Sequence, residues 1–341
     1  MFHFISPLHL GETLFYQISS YEVIFLKVLV TELIWDEGLE ELKRSGIEVV
    51  YQESLWSQRE QLLNILKDFD GLIVRNQTKV DLELLSHASR LKVIGRLGVG
   101  LDNIDIKAAK EQGIKVVYAR NANATSVAEY VMSAILTACR PLLLADRDIR
   151  AGHWDRKKFT GQEIYQKTLG LIGLGEISHR VAKRAKAFGM RVIGYDPFIT
   201  EQEHIISETG VEKAPSLKHV LERSDFVSLH VPLTNDTKHL ISLEELKLMK
   251  RSAFLINTSR GGIVDESALC TALNNNEISG AFLDVLEHEP ISPSHPLLQC
   301  DNVVLTPHIA GLTNESQVRT SLLIAKEVGK LLKGGHSLCL I

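Results

Sequence analysis

Three polar side chains follow predicted buried strands in the second half of the chain. Arg260 comes after the strand in INTSRGG, Glu289 after the strand in GAFLDVL, and His308 after the strand in NVVLTPH. Parallel strands end at one edge of a sheet, where α/β proteins bind ligands, so we expect these side chains to share a crevice. An arginine offers a planar fork to a carboxylate, and a histidine oriented by a glutamate can move a proton near neutral pH. The set predicts proton transfer on an anionic substrate.

Each of these residues also has a structural interpretation when it is taken alone. His308 is one of 13 histidines, and Arg260 could form an ion pair with Asp265. Glu289 precedes a proline and could lie in a solvated turn. His288 beside Glu289 does not predict a metal site, because adjacent side chains rarely converge on one ion. We therefore expect no metal site from the sequence.

A turn in GLIGLGEIS is typical of a dinucleotide site. Gly173 and Gly175 follow an apolar strand, 169–173, and precede a helical pattern at 177–188. Gly173 permits a tight turn, Gly175 lets the backbone approach a pyrophosphate, and the helix N-terminus offers free N–H groups. Ser178 stands where a third glycine is usual, and it is small enough for close packing. Two glycines alone would equally fit a turn that binds no ligand.

The next strand strengthens the prediction of a cofactor. This strand, 191–195, ends in Asp196, which lies 21 residues after Gly175. An acid at this position accepts hydrogen bonds from both hydroxyls of the adenosine ribose. Because it would repel a 2′-phosphate, Asp196 favours NAD over NADP.

A second glycine-containing loop, GRLGVGLDN, also follows a predicted strand. The strand after this loop ends in Arg120 rather than in an acid, so the loop does not match the dinucleotide pattern. It is equally consistent with a plain turn and with backbone N–H groups that face a cleft.

Short β-branched runs alternate with helical patterns from Lys27 onwards, which is typical of parallel sheets built from βαβ units. The alternation falls into two series, and each series predicts a parallel sheet of five or six strands. Capping boxes at 126–129 and 242–245 predict two helix starts, and Pro141 interrupts the first of these helices. A last helix, roughly 315–333, is predicted to pack on the open face of the first sheet.

The composition is that of a globular protein, with 45% hydrophobic residues, 23% charged residues and a net charge of −4. This balance provides no basic surface for nucleic acid, and the chain has no apolar run of about 18 residues that would predict a membrane span. Four scattered cysteines favour a reducing, cytoplasmic compartment. Residues 1–26 contain no Lys or Arg and are predicted to be an appendage, or to lie upstream of the true start, rather than a secretory signal.

A nicotinamide site, a carboxylate-binding arginine and a His–Glu pair together fit hydride transfer to or from a 2-hydroxy acid. From residue 27 to about 330, the chain also resembles the D-isomer-specific 2-hydroxyacid dehydrogenase family. The resemblance rests on the ordered motifs LGVGLDNID, GHW, GLIGLGEI, YDP, HVPLT, NTSRGGIVDE, LDVLEHEP and TPHIAG. GLIVRNQTKV and GHWDRKKFTGQE are most similar to members that act on D-3-phosphoglycerate.

The resemblance implies an α/β protein with two doubly wound parallel-sheet domains. After an N-terminal extension (1–26), it implies a flavodoxin-like substrate domain that is split between 27–118 and 306–341. An inserted Rossmann domain, 119–305, is implied to bind NAD. A homodimer formed through the Ser126 helix, or a tetramer, is the implied assembly, with a small 2-hydroxy or 2-oxo acid as the substrate.

The resemblance also implies roles for the residues that match the family's motifs. Arg260 is implied to bind the substrate carboxylate and keto oxygen, His308 to move the proton and Glu289 to pair with His308. The positions implied to contact NAD are Gly173, Gly175, Glu176, Ile177, Asp196, Val231, Thr258, Asp284 and Gly311. Those implied to bind substrate are Arg75, which reads a phosphate or other distal anion, the backbone of Val99 and Gly100, and Arg140, which reaches the site of the partner subunit.

Two departures from the family pattern lie in the turn, and they leave the cofactor affinity open. Ser178 replaces the third glycine, and Glu176 places an acid beside the pyrophosphate, which predicts weaker NAD binding. The chain ends soon after the last predicted helix, so a regulatory serine-sensing domain is not expected. The substrate is open among 3-phosphoglycerate, sulfolactate, hydroxypyruvate and glyoxylate. An NAD-sensing, corepressor-like binding protein and a formate dehydrogenase, in which His308 would partner a Gln, are the other interpretations.

Overall fold

The structure is a computed structural model that describes residues 26–341. Apart from Leu26, the predicted N-terminal extension lies outside the described residues. The described chain forms two parallel sheets, one of five strands and one of seven. The predicted class, two α/β domains with parallel sheets, is confirmed.

The first sheet is made of short runs rich in valine, isoleucine and leucine. Its strands are β1 (Lys27–Val30), β2 (Glu48–Tyr51), β3 (Gly71–Val74), β4 (Val93–Arg96) and β5 (Lys115–Tyr118). Their order across the sheet is β2-β1-β3-β4-β5, which is the flavodoxin-like order. The helices that connect them are α1 (Asp36–Arg44), α2 (Arg59–Ile65), α3 (Leu82–Ser86) and α4 (Ile106–Glu111).

The second sheet has the Rossmann arrangement with one additional strand. Its strands are β6 (Thr168–Ile172), β7 (Arg191–Tyr195), β8 (Glu212–Lys213), β9 (Phe226–Leu229), β10 (Phe254–Asn257), β11 (Gly280–Leu283) and β12 (Val303–Leu305). They lie in the order β12-β11-β10-β9-β6-β7-β8. The prediction of five or six strands is wrong here, because β8 is an exposed two-residue strand that leaves no apolar pattern.

Two helices, α5 (Ala124–Cys139) and α6 (Leu142–Arg150), join the two sheets and are separated at Pro141 as predicted. The helices of the second sheet are α7 (Glu176–Ala187), α8 (His204–Thr209), α9 (Leu217–Arg223), α10 (Leu243–Leu248) and α11 (Glu266–Asn274), and the chain continues to α12 (Asn314–Leu332). Within residues 26–341, no single helix is long and apolar enough to cross a membrane, and α5 and α6 pass only as a pair bent by 52°.

The last helix returns to the first sheet, as the sequence predicts. Ile324, Ala325 and Val328 of α12 are fully buried and share an apolar cluster with Val28 of β1 and Ile73 of β3. The chain thus starts the first α/β unit, builds the second, and completes the first. The domain boundaries predicted at 118/119 and 305/306 are compatible with this path and stay a prediction.

One of the two predicted helix caps is wrong. Ser242 and Glu245 form the expected capping box at the start of α10. Ser126 instead lies inside α5, which begins after Asn123, and its hydroxyl lies 2.9 Å from the Thr313 hydroxyl near the start of α12. Glu129, the other half of the predicted box, forms a salt bridge with Arg184. The side chain of Ser126 therefore connects the two α/β units rather than capping a helix.

Gly95 of β4 tests how tightly α12 packs on the first sheet. A Cβ at this position would lie 2.6 Å from Val328 and 2.7 Å from Ile324, which are stiff β-branched side chains. We expect Gly95→Ala to lower the free energy of unfolding by about 1–3 kcal/mol because the core is overpacked. Chemical denaturation monitored by circular dichroism measures this change.

Gly329 of α12 provides the matched control for the same substitution. A Cβ there would meet nothing closer than 3.6 Å. Gly329→Ala should leave stability unchanged or raise it by about 0.5–1 kcal/mol, since alanine is the better helix former. Equal effects of the two substitutions would contradict the packing that we describe.

Candidate active site

The glycine turn between β6 and α7 has the backbone that a pyrophosphate site requires. Gly173 has φ +87°, and a Cβ there would lie 2.5 Å from the His230 carbonyl oxygen, so only glycine fits. Gly175 caps α7, and a Cβ placed on it would have no atom within 4 Å. The fully buried Ser178 donates a hydrogen bond of 2.5 Å to the Gly173 carbonyl. The hydroxyl in place of the third glycine thus fixes the turn to its helix.

Asp196 lies at the carboxyl end of β7, beside this turn. Its two carboxylate oxygens accept hydrogen bonds from the backbone N–H groups of Leu174 and Phe198, both at 2.9 Å. Each oxygen retains a lone pair for a further donor. The side chain is therefore oriented by the backbone, as a ligand of ribose hydroxyls needs to be.

Several features of the crevice fit NAD, which would supply the hydride chemistry when bound. The Thr258 hydroxyl is buried and has no hydrogen-bond partner among the described residues. The Asn123 side-chain oxygen is also buried without a hydrogen-bond partner among the described residues. Gly311 packs closely against this side chain, since a Cβ on Gly311 would lie 2.6 Å from the Asn123 amide nitrogen. Buried polar atoms normally have partners, so these two indicate that a ligand completes the site. Val231, whose side chain packs beside Gly173, is half-buried.

Ile177 belongs to the first turn of α7 and is half-buried. Glu176 precedes it as the first residue of that helix and forms a salt bridge of 2.6 Å with Arg180. The acidic charge that we predicted beside the pyrophosphate is therefore balanced within the same helix. The roles of both residues toward NAD stay predictions.

A histidine beside the turn that the sequence analysis did not assign is half-buried, with its Nδ1 atom fully buried. His230 follows β9, and its Nε2 lies 2.9 Å from the Ser228 hydroxyl. Burial lowers the pKa of His230 to about 3, so the ring is neutral near neutral pH. Its backbone N–H donates to Ile172 of β6, which ties the floor of the crevice to the glycine turn. The HVPLT motif contained this residue, but pattern alone gave it no role.

Asp284 is buried at the end of β11 and organises the segment that carries His308. Its carboxylate accepts hydrogen bonds from the Thr306 hydroxyl at 2.6 Å and from the N–H groups of Ile309 and Ala310 at 2.8 and 2.7 Å. Its carbonyl accepts from the N–H of His308 at 2.9 Å. These contacts hold His308 at φ +56°, a backbone conformation that non-glycine residues rarely adopt. In the structure Asp284 thus positions His308, and its contact with NAD stays a prediction.

The predicted His–Glu pair is formed in the structure. Nδ1 of His308 lies 2.9 Å from Oε2 of Glu289, while Oε1 of Glu289 accepts from the N–H of Leu286. Nε2 is therefore the ring nitrogen that remains for a substrate. The His308 side chain is 48% exposed and that of Glu289 40% exposed, as expected for groups that line an open cleft.

Arg260 reaches across to the first α/β unit instead of pairing with Asp265. Its Nε lies 2.9 Å from Asp102, and its carbonyl accepts from the side chain of Asn257. Any Cβ on Gly100 would overlap the Arg260 guanidinium. Arg260 therefore packs directly on the loop that contains Gly98, Val99 and Gly100. Asp265 has a different role, since it caps α11 by accepting from the N–H of Ala268. The glycine-containing loop that also fitted a plain turn therefore faces the candidate site.

Two further arginines lie beside this loop. Arg75 follows β3, and its guanidinium contacts Gln317 of α12 at 2.5 Å. Arg96 ends β4 and was missed by the sequence analysis, because a single basic residue at a strand end is a weak signal. Burial lowers the pKa of Arg96 to about 10, with Arg260 and Arg75 acting in the same direction and Glu32 opposing them, so it remains a cation near neutral pH.

The two remaining predicted substrate residues, Val99 and Arg140, lie at different places in the structure. Val99 lies in the loop beside Gly100 and is 36% exposed, and the role of its backbone N–H toward the substrate stays a prediction. Arg140 ends α5, packs against Gly161 and is exposed, and it contacts none of the other predicted substrate residues. A role for Arg140 therefore depends on a second copy of the chain, as the resemblance implies, and stays a prediction.

Comparison with known proteins shows the relationships of the chain. Residues 132–310 match the family described as "D-isomer specific 2-hydroxyacid dehydrogenase, NAD binding domain". The chain is 45% identical over 309 residues to a D-3-phosphoglycerate dehydrogenase of Methanocaldococcus jannaschii, with 91% of this chain and 58% of that protein covered. The chain thus spans little more than half the length of that relative.

Two other proteins match over nearly their full lengths. An (S)-sulfolactate dehydrogenase of Chromohalobacter salexigens is 42% identical over 305 residues, which cover 89% of this chain and 98% of that protein. The crystal structure of the TT0316 protein from Thermus thermophilus superposes with a TM-score of 0.84 at 34% identity and covers 93% of this chain and all of that one.

These matches confirm the predicted family and its cofactor, NAD. The chain therefore belongs to the D-isomer specific 2-hydroxyacid dehydrogenase family.

Proposed function

We propose that the protein transfers a hydride between NAD(H) and a three-carbon D-2-hydroxy acid with a second anionic group, specifically 3-phosphoglycerate and its 2-oxo product. The observation that carries this proposal is the pair Arg75 and Arg96. Both are half-buried, Arg96 lies near both Arg75 and Arg260, and neither Arg75 nor Arg96 forms a salt bridge with any residue in the described range 26–341. Buried cations are normally paired, so an anionic ligand is the expected partner.

The acids near the arginines leave room for such a ligand. Glu32 is almost fully buried and accepts hydrogen bonds from the backbone N–H groups of residues 75–78, at 2.8–3.1 Å. Asp102 pairs with Arg260 and is largely exposed. Two carboxylates thus offset part of the charge of three guanidinium groups. A substrate with a carboxylate for Arg260 and a distal phosphate for Arg75 and Arg96 would supply the rest.

The other groups of the cleft fit the chemistry of the hydroxyl carbon. When the hydroxy acid is oxidised, Nε2 of His308 takes the hydroxyl proton, and the C2–H bond breaks with its hydride going to the NAD⁺ that the cleft would hold. Glu289, 2.9 Å from Nδ1, stabilises the imidazolium that results. Arg260 holds the carboxylate and the developing carbonyl oxygen. In the reverse direction the same imidazolium returns the proton.

Alternative substrates differ in the anion that they present. Sulfolactate carries a sulfonate that could use the same arginines, and one relative is a sulfolactate dehydrogenase. Glyoxylate has no distal group, and hydroxypyruvate has an uncharged one, so both would leave Arg75 and Arg96 unpaired. A binding protein that only senses NAD would not need the formed His308–Glu289 pair, and a formate dehydrogenase would be expected to have Gln in place of Glu289.

A homodimer through α5 and α6 is part of the proposal. None of the residues of α6 is buried, and its leucines at 142, 143 and 144 are 68%, 74% and 57% exposed. A run of exposed leucines of this kind is typical of a protein–protein interface. A second copy that covers α6 would also give Arg140 a route to the partner's cleft. Tetramer formation and a cytoplasmic location stay predictions.

His308 is the first residue to test. We expect His308→Ala to lower kcat by about 10²–10⁴-fold, because the proton then has no positioned acceptor. Steady-state kinetics with NAD and 3-phosphoglycerate measure the loss. His87→Ala changes an exposed histidine that follows α3 and should leave kcat unaltered. Full turnover in His308→Ala would remove this residue from the mechanism.

Arg75 tests whether the distal anion is recognised. Arg75→Ala should lower kcat/KM for 3-phosphoglycerate by about 10–100-fold, the scale of a lost charge-assisted contact, and should change glyoxylate reduction far less. A panel of 3-phosphoglycerate, sulfolactate, hydroxypyruvate and glyoxylate compares these values. Arg44→Ala, which removes an exposed side chain of α1, is the control. Equal losses on all four substrates would mean that Arg75 does not distinguish them.

Asp196 tests the choice of cofactor. Asp196→Ala removes the acceptor for the ribose hydroxyls and the charge that would repel a 2′-phosphate. We expect the ratio of kcat/KM for NAD to that for NADP to fall by about 10–100-fold. Asp301→Ala, at an exposed position, should preserve the ratio. An unchanged ratio in Asp196→Ala would show that another group reads the ribose.

A further inference from the structure

Three side chains beside the predicted NAD site converge between α7 and α8. Glu176 and His179 are the first and fourth residues of α7, and His204 is the first residue of α8. One carboxylate oxygen and one ring nitrogen from each histidine all lie within 4.8 Å of one another. We propose that these residues bind a divalent transition-metal ion of the Zn²⁺ type, and we call them the α7–α8 cluster.

The helix geometry explains why the side chains meet. Residues three apart on a helix share one face, so Glu176 and His179 both point toward α8. The rings of His179 and His204 meet edge to face, with centroids 5.1 Å apart and planes at 76°. Ligands in an E-x-x-H pattern on one helix, joined by a histidine from its neighbour, form an arrangement that metal sites between helices commonly use.

The state of His179 favours a metal over a simple contact between side chains. Its side chain is 12% exposed, and its Nε2 is buried without a hydrogen bond from any described residue. Glu208 lies 3.2 Å from this nitrogen and can form an ion pair with it when the ring is protonated, and Lys183 contacts the same carboxylate oxygen at 3.3 Å. An unsatisfied buried nitrogen costs about 1–3 kcal/mol, and a metal ion would remove this cost.

Glu176 can serve as a ligand without losing its salt bridge. Both contacts from Arg180 are made to Oε1, at 2.6 and 2.7 Å. Oε2 is then the oxygen that can turn to the histidines, while Arg180 keeps the carboxylate in place. Hydrogen bonds of this kind to ligating carboxylates are usual around metal ions. Two imidazoles and one carboxylate suit Zn²⁺, whereas Mg²⁺ prefers a shell of oxygen atoms.

Glu176 also connects the cluster to the NAD site. It is the first residue of α7, whose N-terminus follows the glycine turn. Arg180 already balances this acid, so a bound dication would add net positive charge at the point where the family pattern places the pyrophosphate. Metal and NAD(H) should therefore strengthen each other's binding, since coupling between two sites is reciprocal. The proposed coupling requires that NAD binds at the glycine turn, as in the family, whereas the proposed metal binding does not require it.

The test begins with Zn²⁺ titrated into the metal-free full chain by isothermal calorimetry. We expect one Zn²⁺ per chain with a dissociation constant of about 1 μM or lower, and at least about tenfold weaker binding in His204→Gln and in Glu176→Gln. His204 is exposed, so its replacement should not disturb folding, and equal melting temperatures check this. Mg²⁺ in excess should not compete.

Two histidine variants serve as controls for the location of the site. His87→Gln alters an exposed histidine of the first unit, and His308→Gln alters the catalytic cleft. Both should bind Zn²⁺ as the unmodified protein does. Absence of Zn²⁺ binding in the unmodified protein, or loss of binding only in His308→Gln, would overturn the assignment to the α7–α8 cluster.

NADH affinity, measured by fluorescence with and without Zn²⁺, tests the coupling separately. Zn²⁺ should tighten NADH binding by about fivefold or more in the unmodified chain and leave His204→Gln unaffected. Zn²⁺ binding at the cluster with no change in NADH affinity would overturn the coupling alone. Failure of the proposed oxidation of 3-phosphoglycerate would affect neither measurement, so the two proposals are tested independently.

Discussion

The carboxylate of Asp284 holds together the segment on which the candidate site depends. It is 1% exposed and accepts from Thr306, Ile309 and Ala310, at the point where the chain leaves the second sheet and returns to the first. A buried carboxylate is stable only when donors compensate for its lost hydration, so this residue and the segment constrain each other. The rare backbone conformation of His308 persists because these contacts determine it from both sides.

The first unit uses the same physical device at the corresponding edge of its own sheet. Glu32, just after β1, is 2% exposed and accepts from four successive N–H groups in the loop that begins at Arg75. In both units a buried acid orders a loop through the backbone. The side chains that the loops carry, Arg75 in one case and His308 in the other, are therefore available to a substrate. The cleft is formed from two such edges, joined by the Arg260–Asp102 contact.

The sequence predicted the parts of this arrangement that leave a local pattern. Strands, connecting helices, the Gly173–Gly175 turn and the three residues Arg260, Glu289 and His308 all follow from periodicity and from the rule that ligands bind at strand ends. Arg96 could not be predicted in this way, because its significance comes from two other arginines that are distant in sequence. Ser126 shows the same limit, since the hydroxyl partner that replaced its expected cap lies 187 residues away. Contacts between elements depend on packing that no local spacing encodes.

The glycine turn shows how a local departure from a pattern can be compensated locally. Without the third glycine, α7 would be expected to stand slightly further from its strand, yet Ser178 is fully buried and its hydroxyl bonds the Gly173 carbonyl. An unpaired acid at Glu176 would oppose the pyrophosphate, but Arg180 one turn later pairs with it. The remaining penalty on NAD binding should be small, because the ion pair leaves little net charge beside the turn. This turn is therefore distinguished by the side chains around Glu176. Arg180 pairs with it along the helix, and His179 and His204 lie beside it.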